Sequence, residues 1–291
     1  MKKEKRKASG YAFITVTCWA FSNVFTGIVM REISAFVLAF FRYAIAAGVL
    51  VVVIWWKHLA LPEKKDIPFF FLSGGLGFFL YTIFFNLGCA ETTSAVSSTI
   101  IAVVPLLTAI LSAVVFKEKI ARKQWKGIGI SFVGVLILVV EPGHMHMTAG
   151  IAWLLCAAVI LSCYNLLQKK LTNKYSAFQV SVYSILNGFL LLCLFAPQAW
   201  KQLGNISAVS WGCLIIMGVF SSAVAYVCWA KALSIASQTS EVSNFMFLTP
   251  FIASGLGYVI LGERLSLQNG IGGICILLGL LLFYRGKQNE Q

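Results

Sequence analysis

Two prolines, Pro105 and Pro250, stand 145 residues apart, each inside a long apolar stretch with small polar residues at helical spacing. Ahead of and behind Pro105 lie Ser94, Ser98, Ile101, Thr108 and Ser112; around Pro250 lie Ser240, Ser243, Phe247, Ser254 and Gly257. Steps of three and four place each set on one face of a helix. A proline has no N–H and frees the carbonyl four residues earlier, here those of Ile101 and Met246. Such backbone polarity in an apolar medium needs a protein or water partner, so these faces are expected to line a cavity that binds a polar solute. The plainer alternative is that small residues permit close helix packing and the prolines only kink the helices.

Further polar residues join them. Thr15, Trp19, Ser22 and Thr26 form one stripe with Asn23 beside it, and Ser162 and Asn165 recur later. An amide facing lipid would lack partners, so Asn23 and Asn165 should point inward, toward substrate or toward another helix. Tyr81, Tyr226 and Trp229 offer aromatic walls for a partly apolar solute, or simple interhelical packing. Arg42 is the one basic residue well inside an apolar stretch. It could meet a substrate carboxylate, cap the carbonyls of a broken helix or reach outward to the interface. Glu241 is the candidate for a titratable coupling group, against a solvated residue at the mouth. The expected substrate-binding set is Trp19, Ser22, Asn23, Tyr81, Ser98, Pro105, Asn165, Tyr226, Ser243, Asn244, Phe247 and Pro250, with Arg42 and Glu241 as charge or coupling groups.

Bond-making chemistry finds no such support. The three histidines fall in loops, no apolar stretch holds paired acids, and no G-x-S-x-G, H-E-x-x-H or phosphate-loop motif occurs. His144-Met-His146-Met147 is a short loop motif that reads as loop rather than metal site, and Glu118 and Glu263 read as locks of helix ends. The eight cysteines lie singly and pack as small hydrophobes. The expectation is a protein without catalytic residues, metal or cofactor.

The elements that carry these residues follow from composition. Of 291 residues, 59% are hydrophobic and 11% charged, too few charges to coat a soluble surface, where about 25% is usual. Spanning the bilayer takes roughly 20 apolar residues, which leaves room for about ten helices and short loops. These are expected at 9–29, 34–56, 67–88, 93–116, 124–140, 149–168, 176–195, 209–230, 237–261 and 267–284. The start, Met1 to Lys7, has no small-residue cleavage site and reads as the flank of a retained first helix. With the N-terminus in the cytoplasm, nineteen of the 23 basic residues fall on the cytoplasmic side, which places both termini there. That bias also accounts for a net charge of +13 without nucleic acid.

Shifting the chain by 145 residues aligns Thr93–Leu138 with Gln238–Phe283 without a gap. Ser98 falls on Ser243, Pro105 on Pro250, Glu118 on Glu263, Gly127 on Gly272, Gly134 on Gly279, and upstream Tyr81 on Tyr226. Five spans per copy is an odd number, so the second copy must cross the membrane upside down. The expected architecture is an all-α integral membrane protein of ten helices, two inverted five-helix repeats at 8–141 and 148–285 around a central cavity. Inverted repeats suit alternating access, with the substrate near the midplane.

Trp19-Ala-Phe-Ser-Asn23, Phe41-Arg42, and Glu118-Lys119 and Glu263-Arg264 after proline-containing helices resemble the EamA-type branch of the drug/metabolite transporter superfamily. The first copy has Phe116-Lys-Glu-Lys119 where Gly-Glu-Arg is usual. The resemblance implies a ten-helix carrier of small metabolites, often amino acids, in a bacterial cytoplasmic membrane. The expected function is gradient-driven export of an amino acid or related amphipathic compound, energised by a proton or other ion gradient. The expected partners are the solute and membrane lipid, with the protein a monomer or homodimer. The alternatives are a multidrug efflux protein of the same fold and a membrane-embedded enzyme.

Overall fold

The computed structural model describes residues 2–117, 120–139, 148–235, 244–264 and 266–288. Among these residues the chain is helical, with no strand. The helices are α1 (Lys2–Val29), α2 (Ala35–Lys57), α3 (Ile67–Gly74, a π turn at Gly75–Leu80, then Tyr81–Glu91) and α4 (Ser94–Ile101, then Val104–Phe116). Next come α5 (Arg122–Val139), α6 (Ala149–Thr172) and α7 (Ala177–Leu192). They are followed by α8 (Ala208–Ile216, a π turn at Met217–Val224, then Ala225–Ile235), α9 (a 3-10 turn at Asn244–Phe247, Leu248–Leu256, a π turn at Gly257–Leu261) and α10 (Leu267–Gln288).

Local chemistry sets the boundaries. Ser34, Thr93, Thr148, Ser176 and Ser207 stand in extended backbone immediately before α2, α4, α6, α7 and α8. Each hydroxyl accepts the N–H three residues on, which satisfies one of the unpaired donors of the first turn. Pro105 does more than kink α4: the helix stops at Ile101, and a new one starts at Val104 with the proline in its first turn. There its missing N–H has no helical partner to lose. Pro197 behaves alike, opening a short helix at Ala196–Gln202 where a loop is expected from sequence.

The side-chain distribution is that of a membrane protein. Among the described residues seven helices are long and apolar enough to cross a bilayer, and α9 and α10 contribute shorter apolar segments, Leu248–Leu261 and Leu267–Phe283. Large apolar groups such as Trp55, Leu190, Leu194, Phe251 and Val259 face outward. Thr15, Asn23, Arg42, Asn86, Ser97 and Ser222 are buried. Polar groups inside and apolar groups outside invert the soluble pattern, because lipid solvates the outer surface and only protein can satisfy the polar groups.

The interior is tied together by helices distant in sequence. α1 packs on α8, α3 on α6, and α5 on α10. Between α5 and α10 the backbones nearly touch: a Cβ on Gly127 would stand 2.5 Å from the Gly279 carbonyl oxygen, and one on Gly134 2.7 Å from that of Gly272. Polar locks hold both ends of the bundle. At the face where α1 begins, Lys174 pairs with Asp66 at 2.6 Å and with Glu63 at 2.7 Å, and the Tyr175 hydroxyl donates to Asp66 at 2.6 Å. At the opposite face the Ser34 N–H donates to Gln202 at 3.0 Å and the Ser207 N–H to Glu32 at 2.9 Å. In each lock a loop of the first half meets a loop of the second.

Candidate functional site

The π turns of α3 and α8 shape the centre of the bundle. Each widens its helix by one residue, and such turns often mark functional positions. The turn in α3 carries Phe78, fully buried. Its ring lies 5.6 Å from Tyr226 of α8, 5.4 Å from Tyr164 of α6 and 5.6 Å from Tyr43 of α2, all edge-on. Tyr226 in turn meets Trp19 of α1 at 5.8 Å, and Trp19 meets Trp229 at 5.3 Å. Five helices thus converge on one aromatic cluster. Edge-to-face rings present both apolar faces and hydroxyls, a surface suited to an amphipathic solute.

Beside this cluster lies Arg42, 7% exposed. Its Nε donates to the Ser222 hydroxyl at 2.8 Å, and its guanidinium carbon is 5.4 Å from the Tyr43 ring centroid. No carboxylate among the described residues pairs with it. Ser222 sits in the π turn of α8. A buried cation with one neutral hydrogen bond and a ring face retains donors for an anionic group, because guanidinium offers five N–H bonds in a fixed fork.

A second group of polar residues joins α1, α4 and α6. Asn23 donates to the Trp19 carbonyl at 3.0 Å and accepts from the Ser97 hydroxyl at 3.2 Å. Asn165 donates to Thr108 at 3.2 Å, and Ser162 donates to the Val104 carbonyl at 3.3 Å, just past the break in α4. Both asparagines therefore point inward and spend these bonds between helices or within α1. The Ser22 hydroxyl is buried without a partner among the described residues. Ser98 bonds back to the Ala95 carbonyl at 3.0 Å. Pro250 is buried, Pro105 half-buried, and the half-buried Tyr81 stacks on Phe85 at 5.6 Å.

Among the expected site residues, Trp19 and Tyr226 meet directly, with Arg42 held on Ser222 of the same π turn that precedes Tyr226. Asn23 and Asn165 contact different stretches of α4. The backbones of Asn244 and Phe247 form the first turn of α9. Ser243 and Glu241, with Glu118 and the His144–Met147 loop, lie outside the described residues. Sequence reasoning did not reach Phe78, Tyr43, Tyr164, Ser97 or Ser222. Phe78 lies among Gly74, Gly75 and Gly77, a cluster whose lack of side chains could have signalled close contact around it.

Where α1 ends, three helices close together. Glu263, at the end of α9, accepts the Ser94 N–H at 2.9 and 3.1 Å on its two oxygens and the Ser94 hydroxyl at 3.0 Å. Gly27 of α1 faces Leu261 of α9, with room for a Cβ at 3.5 Å. Outside this junction a cavity of about 230 Å³ is lined by Gly27, Met30, Arg31, Cys89, Ala90, Thr92, Leu261 and Glu263.

A multi-pass helical bundle with an aromatic and polar interior suits a membrane transporter. The chain matches the EamA-like transporter family twice, over residues 6–140 and 148–285, and it belongs to that family. It is 29% identical over 276 residues to an uncharacterized transporter of Archaeoglobus fulgidus, covering 94% of this chain and 97% of that one. It is 28% identical over 248 residues to the uncharacterized transporter YdfC of Bacillus subtilis, covering 85% and 81%. A probable terminal-alkyne amino-acid exporter of Streptantibioticus cattleyicolor is 27% identical over 270 residues, covering 91% and 87%. A solved crystal structure superposes over 98% of this chain and 99% of its own with a TM-score of 0.65 and 17% identity, a likeness of fold.

Proposed function

We propose that this protein is a secondary transporter that exports an amino acid or a related amphipathic carboxylate across the cytoplasmic membrane. The two five-helix repeats, 8–141 and 148–285, run in opposite senses and rock about a central site by alternating access. Both termini face the cytoplasm, so the Lys174–Asp66 lock is cytoplasmic and the Glu32–Ser207 lock is outside. The observation that carries the reading is the buried Arg42, with no carboxylate partner among the described residues, beside the ring cluster of Trp19, Tyr226 and Phe78. Arg42 receives the carboxylate and the rings receive the apolar side chain. An ionisable residue inside a membrane bundle is costly, and such residues mark substrate or ion pathways. Energy comes from the substrate gradient or from a proton or ion gradient.

The relative named as a probable amino-acid exporter supports the substrate class. The test is counterflow in proteoliposomes preloaded with unlabelled amino acids, followed with labelled ones. Exchange should be measurable for at least one apolar or aromatic amino acid and absent for its methyl ester, which has no carboxylate. Equal exchange of acid and ester would remove Arg42 from the site. A second reading, multidrug efflux, draws on the same ring cluster; transport of cationic dyes with no amino-acid exchange would favour it.

A further inference from the structure

The junction between α4 and α9 has the composition of a releasable lock. Ser94 is the first residue of α4, where the backbone N–H has no partner within the helix, and Glu263 supplies that partner from the other half of the chain. Both carboxylate oxygens are engaged, and the Ser94 hydroxyl adds a third bond. A carboxylate at a helix N-terminus is stabilised by the exposed N–H groups and by the dipole of the helix. Gly257 makes the approach possible: a Cβ there would collide with the Glu263 carboxylate and come within 3.3 Å of the Ser94 Cβ. One turn deeper, Ser97 holds Asn23 of α1, so α1, α4 and α9 are joined at one level.

We propose that Glu263 is the latch of the outer gate. Its carboxylate holds the N-terminus of α4 against the end of α9, closing the path between the central site and the outer cavity. Release of Ser94 from Glu263 lets α4 and α9 separate and opens that face. This inference rests on the transporter reading, since a carrier working by alternating access opens and closes the same face in each cycle. Glu263 acts as a positioning residue, fixing two helices rather than holding solute. The repeat places Glu118 at the corresponding position of the first half in sequence.

Cys89 provides a reporter, because it borders the outer cavity but is only 6% exposed, packed in one buried cluster with Val96 and Ile100 of α4, so that movement of α4 uncovers it. The experiment uses full-length protein in intact cells with the other seven cysteines replaced by serine or alanine, and measures labelling of Cys89 by a membrane-impermeant maleimide. Glu263→Ala removes the acceptor. Ser94→Pro removes both donors yet suits the first position of a helix, where proline is favoured, and the extended backbone of Thr93 before it is compatible with proline. Each variant should raise the labelling rate at least fivefold, while Glu118→Ala does not. Unchanged labelling in Ser94→Pro overturns the proposal, whatever Glu263→Ala does, and so does an equal rise in Glu118→Ala, which would indicate general loosening. If Glu263→Ala fails to insert, Ser94→Pro alone decides. Labelling reads the gate without any substrate: faster labelling with no solute exchange keeps the latch and rejects transport of the solutes tried, whereas exchange with unchanged labelling does the reverse.

Discussion

The Ser131 hydroxyl donates to the carbonyl of Ile276 at 3.0 Å, and these residues are 145 apart, the offset that aligns the two halves of the chain. On either side Gly127 packs on Gly279 and Gly134 on Gly272, so each glycine touches the repeat partner of the other. Such crossed contacts arise when like segments meet about a twofold axis, because exchanging the halves must map the contact onto itself.

That seam predicts a graded response to side-chain volume. Gly127→Val and Gly279→Val each push a side chain into the facing backbone and should lower thermal stability in detergent by several degrees, consistent with the ~1–3 kcal/mol cost of overpacking. Gly129→Ala, whose new Cβ meets no neighbouring helix within 4 Å among the described residues, should not lower the unfolding temperature. Melting curves of the purified variants check both.

Arg42 separates charge from geometry. Arg42→Lys keeps the charge but lacks the planar fork, so KM for a carboxylate substrate should rise about tenfold or more. Arg42→Ala should abolish exchange. Ser222→Ala removes only the bond to Nε and should have a smaller effect on KM. Initial rates against substrate concentration in proteoliposomes distinguish the three.

The lock of Glu63, Asp66 and Lys174 predicts a pH window. Hydrogen bonds from Lys174 hold both carboxyls below their ordinary pKa values of 4.5 and 3.8, and those same carboxylates raise Lys174 above 10.5. A lowered carboxyl stabilises the fold above its unfolded pKa and loses that contribution as pH falls through the folded value. A raised lysine stabilises below its unfolded pKa and loses that contribution as pH rises through the folded one. The melting difference between wild type and Lys174→Met should therefore be level from about pH 5 to 9 and shrink on either side. It should also diminish with added salt, since these groups are partly exposed. Thermal scans across pH at two salt concentrations test this.

Trp19 links α1 to the rings of α8. Trp19→Leu should raise KM for aromatic or long apolar amino acids several-fold and alter it less for alanine, because the lost ring contact scales with side-chain area. A uniform change across side chains would argue that Trp19 only packs α1 against α8.

Much of the architecture was legible in the sequence. Apolar length and loop signals located the helices of α1 to α8 closely, since lipid tolerates only backbone that satisfies its own hydrogen bonds. Composition and repeat pointed to a carrier, and the family match agrees. Asn23 and Asn165 were recognisable as interior residues, because an amide facing lipid would lack partners, and both bond to α4. The face assigned to α4 was less exact: Ser97 rather than Ser98 reaches across to Asn23, and the helix restarts at Val104. A uniform helical spacing drawn through that break carries the wrong phase beyond it.

What the sequence determined by itself was the solvent of each segment, the number of spans and the pairing of residues by repeat, all of which depend on short-range pattern or composition. Glu263 shows what it left open. Its place at a helix end was readable, but its partner, Ser94, is 169 residues away. Only packing of α4 against α9 brings acceptor and donor together, as only the π turns of α3 and α8 bring Phe78 to Tyr226 and Arg42 to Ser222. Contacts between distant helices depend on helix rotation and backbone spacing, which tertiary packing fixes and local periodicity does not.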